Sequence, residues 1–185
     1  MPDEPTHHRP VDRSFDLESA ARSGAEGRLA AWVHDFLSSP GSDNEILAVA
    51  LAQRDLWWLG PVRFELARLT PMAGPDEDEV VVSIAPDEWE HDLGDMAAAL
   101  EHGWVPPPLL VSSRDGGYFL EDGNHRHASL VRAGETHGWA IVWFETEEDR
   151  AAFATGLDDE DLPTSSRELA ELSARQLDDV VAPDR

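Results

Sequence analysis

The chain has 185 residues, enough for one domain with a true core and some extra helices, and a hydrophobic fraction of 41% with seven Trp marks it as globular. It contains no Cys and no Lys, which excludes disulfides, thiolate metal sites, a cysteine nucleophile, a Schiff-base lysine and a P-loop lysine. The net charge of −24 is spread along the whole chain, so no segment is basic enough to neutralise a nucleic-acid backbone, and a solubilising surface is the plain reading of the acidity.

No apolar run reaches the roughly 18 residues of a membrane span. Met1-Pro2-Asp3-Glu4-Pro5 lacks the basic-then-apolar pattern of a signal peptide, so the expectation is a soluble cytoplasmic protein with neither membrane nor nucleic acid as partner. Residues 1–13 are polar and Pro-rich and read as a flexible N-terminus. Residues 14–58 read as a helical hairpin. Leu29, Trp32, Val33, Phe36 and Leu37 keep helical spacing up to Ser39-Pro40-Gly41. Ser42 and Glu45 then form a capping-box pattern before Ile46, Leu47, Ala50 and Leu51. Nothing in this hairpin suggests chemistry; it serves packing or a protein partner.

The pattern changes at Pro61, and residues 61–145 read as one α/β (α+β) unit with a small mixed sheet. Val62, Phe64 and Leu66 alternate with Arg63, Glu65 and Ala67, a half-buried strand running to Leu69. Pro71 to Glu79 is an acidic loop, and Val80-Val81-Val82 a short strand. Trp89, Leu93, Met96, Ala97 and Leu100 predict an amphipathic helix closed near Gly103. Leu109-Leu110-Val111 and Tyr118-Phe119-Leu120 flank Asp115-Gly116, a hairpin. A helix then runs from Asn124 or His125 to Gly134, and the apolar run Ala140-Ile141-Val142-Trp143-Phe144 is a buried strand. Residues 146–185 add C-terminal helices. One covers 146–154, and another is capped by Ser165 and Glu168 and carries Leu169, Leu172 and Leu177.

Chemistry concentrates in Asp122-Gly123-Asn124-His125-Arg126, where a strand enters a Gly and a helix leaves it. The first amides of a helix have no internal partner and lie at the positive end of its dipole, which makes an anion site. Gly123 lets a phosphate approach the backbone, Asn124 presents its amide while its side chain caps the helix, and Arg126 adds a charge-assisted clamp. Asp122 orients Arg126, holds Mg²⁺ beside a phosphate, or caps the helix. His125 contacts phosphate or acts as acid or base, against the plainer alternative of a satisfied half-buried histidine. His127, two residues on, points elsewhere on the helix and reads as structural.

The stretch from Asp122 to Ser129, with Pro107-Pro108-Leu109-Leu110-Val111 and the strand Tyr118-Phe119-Leu120 before it, resembles the ParB/sulfiredoxin superfamily. The helix Asp95 to Leu100 with its Gly103, and the strand Val62 to Leu69, fit the lead-in of that family, and the likeness covers roughly residues 61–145. Sulfiredoxins carry their catalytic Cys where Asn124 stands, so sulfinic acid repair is excluded. ParB proteins bind CTP and have Gly-Glu-Arg-Arg at this turn. Here Asn124 and His125 replace the middle pair, and the basic DNA-binding helices are missing. The free serine kinases, with Asp-Gly-His-His-Arg, are closest at the turn. Their Pro-His-Glu, whose Glu is the base, is replaced by Pro71-Met72-Ala73, leaving Asp76, Glu77, Asp78 or Glu79 as substitutes.

The resemblance implies a nucleotide-phosphate-binding protein, with ATP or ADP and Mg²⁺ as cofactors and phosphoryl transfer to a small hydroxyl compound as the possible reaction. Asp122 and His125 would be catalytic, residues 123–126 would hold the nucleotide, and Asp122 would hold the metal. The alternative is a non-catalytic nucleotide-binding or protein-interaction module that engages a partner through its flanking helices. A nuclease, as some relatives are labelled, fits poorly with the charge.

Overall fold

The computed structural model describes residues 15–164, except 41, 43 and 77–79. The N-terminal tail, the last expected helix and the acids Glu77, Asp78 and Glu79 lie outside the described residues. The fold is α+β, with six helices and a mixed five-stranded sheet among those residues. No helix among them is long and apolar enough to cross a membrane.

Three helices open the chain: α1 (Leu17–Ala25), α2 (Leu29–Leu37) and α3 (Glu45–Ala52). Strand β1 (Trp57–Glu65) follows, then a 3-10 turn (Leu66–Arg68), β2 (Leu69–Pro71), β3 (Ala73–Gly74) and β4 (Val82–Ser83). Helix α4 (Pro86–Glu101) leads to the hairpin β5 (Leu109–Arg114) and β6 (Gly117–Asp122). Then come α5 (Asn124–Arg132), β7 (His137–Phe144), α6 (Glu147–Thr155) and a second 3-10 turn (Asp159–Asp161). The main sheet has the order β1-β7-β5-β6-β2, with β7 parallel to β5 and β2 parallel to β6; β3 and β4 form a separate parallel pair.

Both faces of the sheet are covered, which explains the uninterrupted apolar run of β7. Ile141 and Trp143, with Leu110 of β5, meet Trp32, Val33, Phe36 and Leu37 of α2 on one face. Ala140, Val142 and Phe144, with Leu109 and Val111, meet Leu130 of α5 on the other, where Phe153 of α6 also packs. The N-terminal helices thus form one wall of the core of residues 61–145.

Three local expectations change. The half-buried strand read from Val62 to Leu69 is two strands at opposite edges of the sheet. β1 starts at Trp57 and passes through Gly60-Pro61 with a register shift between Leu59 and Val62, while β2 pairs with β6 across the sheet. Proline is tolerated in β1 because an edge strand leaves one row of amides unpaired. Helix α3 is capped by Asn44, whose Oδ1 accepts from the Leu47 amide at 3.4 Å, and not by Ser42. Helix α1 escaped the periodicity reading because its buried face is small: Ala20 and Ala21.

That small face is what α1 needs, since it lies on the β1 bulge. A Cβ on Gly24 would stand 2.5 Å from the Gly60 carbonyl oxygen. Gly→Ala in a helix ordinarily stabilises. Here Gly24→Ala forces helix and strand apart, and denaturant unfolding should show a loss of about 1–3 kcal/mol. A neutral or stabilising result would mean that α1 does not sit on the bulge.

Candidate functional site

The turn is built around Gly123, the N-cap of α5, with φ +97°. Only glycine adopts this conformation readily. A second constraint acts at the same place. A Cβ on Gly123 would stand 2.9 Å from the Arg126 guanidinium carbon and from Leu109. Arg126, 8% exposed, folds back over the glycine. Its Nη1 donates to the Pro107 and Pro108 carbonyls at 2.7 and 2.8 Å, and its Nη2 to Asp122 Oδ2 at 2.5 Å. The guanidinium carbon also stands 5.3 Å from the ring centre of Phe36 in α2. Burial pushes the arginine pKa down, and the Asp122 carboxylate opposes that.

Asp122 is equally committed. Its Oδ1 accepts from Asn44 Nδ2 at 3.2 Å and from Ser42 Oγ at 3.4 Å. The carboxylate joins strand β6, the start of α3 and Arg126. It is not the helix cap, because Gly123 occupies that position. Its charge is already matched by Arg126, so a Mg²⁺ ion would have to compete with the guanidinium for this carboxylate.

Asn124 differs from expectation. Its Oδ1 accepts from the Met72 and Ala73 amides at 3.0 and 3.2 Å, so the side chain ties the β2–β3 segment to the turn instead of capping α5. Asp76 is at the described end of the neighbouring acidic loop.

The His125 ring packs on Trp89 of α4 with centroids 4.2 Å apart. Its Nε2 is 3.6 Å from Asp92 Oδ2, too long for a hydrogen bond, so this buried nitrogen has no hydrogen-bond partner. Desolvation lowers its pKa more than Asp92 and Glu88 raise it. His127 shares a 3.1 Å hydrogen bond between Nε2 and the Leu66 carbonyl and ties α5 to the 3-10 turn after β1; burial lowers its pKa too. Both imidazoles are therefore neutral near pH 7.

Residues 122–126 line part of an open groove of about 570 Å³. Its floor is Gly123, Asn124 and His125. Its walls are Ile46 and Leu47 of α3, Met72, Val81, Val82, Ile84 and Met96. No side chain caps the first amides of α5. The wall residues were missed at the sequence level because each is an ordinary apolar residue; only the fold brings α3, β4 and α5 together. The Pro107 and Pro108 carbonyls, and Ser42 and Asn44, were missed because their partners are some 18 to 80 residues away.

No protein-family model matches the chain, and no characterised protein matches it in sequence.

Two outcomes follow from this geometry. Arg126→Met strands Asp122 among groups arranged for a charge pair, and should cost about 3–5 kcal/mol. Asp122→Asn combined with Arg126→Met should cost clearly less than the two single losses added together, as coupled neighbours do. Additive losses in denaturant unfolding would show that the pair is not coupled.

The histidines set a pH dependence. Their folded pKa values lie below 6.5, so the unfolded chain binds more protons as pH falls, and stability present above about pH 6.5 is lost below it. Wild type should lose more stability between about pH 7.5 and pH 5.5 than His125→Asn/His127→Gln does. Parallel pH profiles would remove these groups from the account.

Proposed function

We propose that this chain is a non-catalytic binding module whose ligand occupies the groove between α3, β4 and the start of α5. One observation carries this reading: the only carboxylate–arginine pair at the turn is closed on itself. Arg126 commits both Nη1 hydrogens to two carbonyls and an Nη2 hydrogen to Asp122, and Asp122 accepts from Arg126, Ser42 and Asn44. Phosphoryl transfer needs charges free to follow the transferred group, and both are already answered. Where the free serine kinases that the turn resembles carry their base, this chain has Met72-Ala73, a segment pinned by Asn124. What the groove offers is apolar wall and shape, the attributes of a docking surface.

A second reading, nucleotide-phosphate binding at the turn, is supported by the uncapped amides of α5, which lie on the groove floor. In that reading the turn resembles the ParB/sulfiredoxin type in its backbone, and Arg126 shapes it without touching phosphate.

Calorimetry with ATP, ADP and CTP, with and without Mg²⁺, separates the two, together with an assay for phosphate release or transfer. The proposal expects no turnover. Nucleotide binding through the amides should be lost in His125→Pro, which removes one first-turn N–H, and retained in His125→Ala, which keeps it. Turnover that Asp122→Asn abolishes in a folded protein would overturn the non-catalytic reading.

A further inference from the structure

The groove is lined by Ile46, Met72, Val81, Val82, Ile84 and Met96 among others, and several stand proud of its rim. Ile46 is 87% exposed, Val81 75% and Val82 55%. Isolated exposed apolar side chains are ordinary, but here three lie together on the walls of one groove. A small molecule seated on the floor would leave the tips of these side chains in water. A segment lying along the groove would cover them.

The charge around the groove restricts which segment. Among the described residues the only arginine lining it is Arg126, which Asp122 neutralises, and the chain has no Lys. Glu45 adjoins Ile46 in α3, and Asp76 follows β3 on the way to Val81 and Val82. Glu88 and Asp92 lie close enough to His125 for their charges to act on it. The whole protein carries −24. An anionic membrane surface and a second copy of this chain are both repelled by such a field, whereas a cationic segment is steered to it.

We infer that the groove docks a basic amphipathic segment of a protein partner, with apolar side chains set against Ile46, Val81 and Val82 and Lys or Arg facing the acidic rim. The inference rests on the binding-module reading and specifies its partner.

Fluorescence anisotropy tests it on the full chain with three labelled peptides of equal length: a helical Leu/Lys peptide, a Ser/Lys peptide of the same charge, and a Leu/Glu peptide. The Leu/Lys peptide should bind about tenfold or more tighter than the Ser/Lys peptide, since burying one or two aliphatic side chains is worth that much. Ile46→Ser combined with Val81→Ser leaves the charge unchanged and alters exposed positions only. It should remove most of that advantage while the circular dichroism melt stays put. High salt should weaken the Leu/Lys complex strongly. Equal affinity for the two Lys peptides, or an advantage that the double variant keeps, would overturn the inference by showing attraction to the acidic surface at large. Preferred binding of the Leu/Glu peptide, lost in the same variant, would keep the docking groove and overturn the basic partner. If no peptide binds, both the partner and the docking role fall. Self-association of the free protein that the double variant abolishes would assign the groove to a second copy instead.

Discussion

A guanidinium taken out of water needs more than one counter-charge: its remaining hydrogens must find acceptors as well. Arg126 answers much of that demand with two successive proline carbonyls and the carboxylate one turn before it. Much of the surrounding structure follows from this arrangement. The guanidinium lies where a side chain at position 123 would be, so that position is glycine for steric as well as conformational reasons. The Pro107-Pro108 segment is held against the turn and sets the entry of β5. Phe36 is drawn to the same cation, and Asp122 reaches out to Ser42 and Asn44. The N-terminal helices are thereby joined to the turn by polar contacts as well as by the core behind the sheet.

The same economy shapes the rest of the turn. Asn124 could have capped α5, and instead its oxygen receives two amides from the β2–β3 segment. The helix start is left without a side-chain cap while the neighbouring segment is fixed. His125 fills space against Trp89, and His127 anchors the far side of α5 on the Leu66 carbonyl. Every polar side chain from Asp122 to His127 makes its main contact within the protein, so the local architecture is rigid by construction. What is offered outward is backbone amide and apolar wall.

That balance bears on how acidity and hydrophobicity divide the surface. A net charge of −24 keeps copies of the protein apart, and an exposed apolar groove on such a molecule is shielded from self-association by the long-range field. The groove can therefore remain open in a protein that is otherwise well solvated.

By itself the sequence determined the α+β class, the β5–β6 hairpin at Asp115-Gly116, the buried strand β7, the strand–Gly–helix turn, and helices α2, α4, α5 and α6. Each is written in local signals: side-chain period, turn residues, caps and an apolar run too dense for a one-sided strand. The absence of Cys and Lys removed chemistries that no fold could restore. Tertiary structure alone decided what Arg126 does, because an arginine beside a glycine looks the same whether its partners are phosphate oxygens or the carbonyls of residues 107 and 108. It alone split the stretch from Val62 to Leu69 between two sheet edges, at the 3-10 turn Leu66–Arg68, because periodicity is blind to which neighbour a strand pairs with. It alone assembled the groove, whose walls come from α3, β4 and α4 and whose floor is the start of α5. Side-chain pattern records which residues leave water; which of them meet is set by the path of the chain between them.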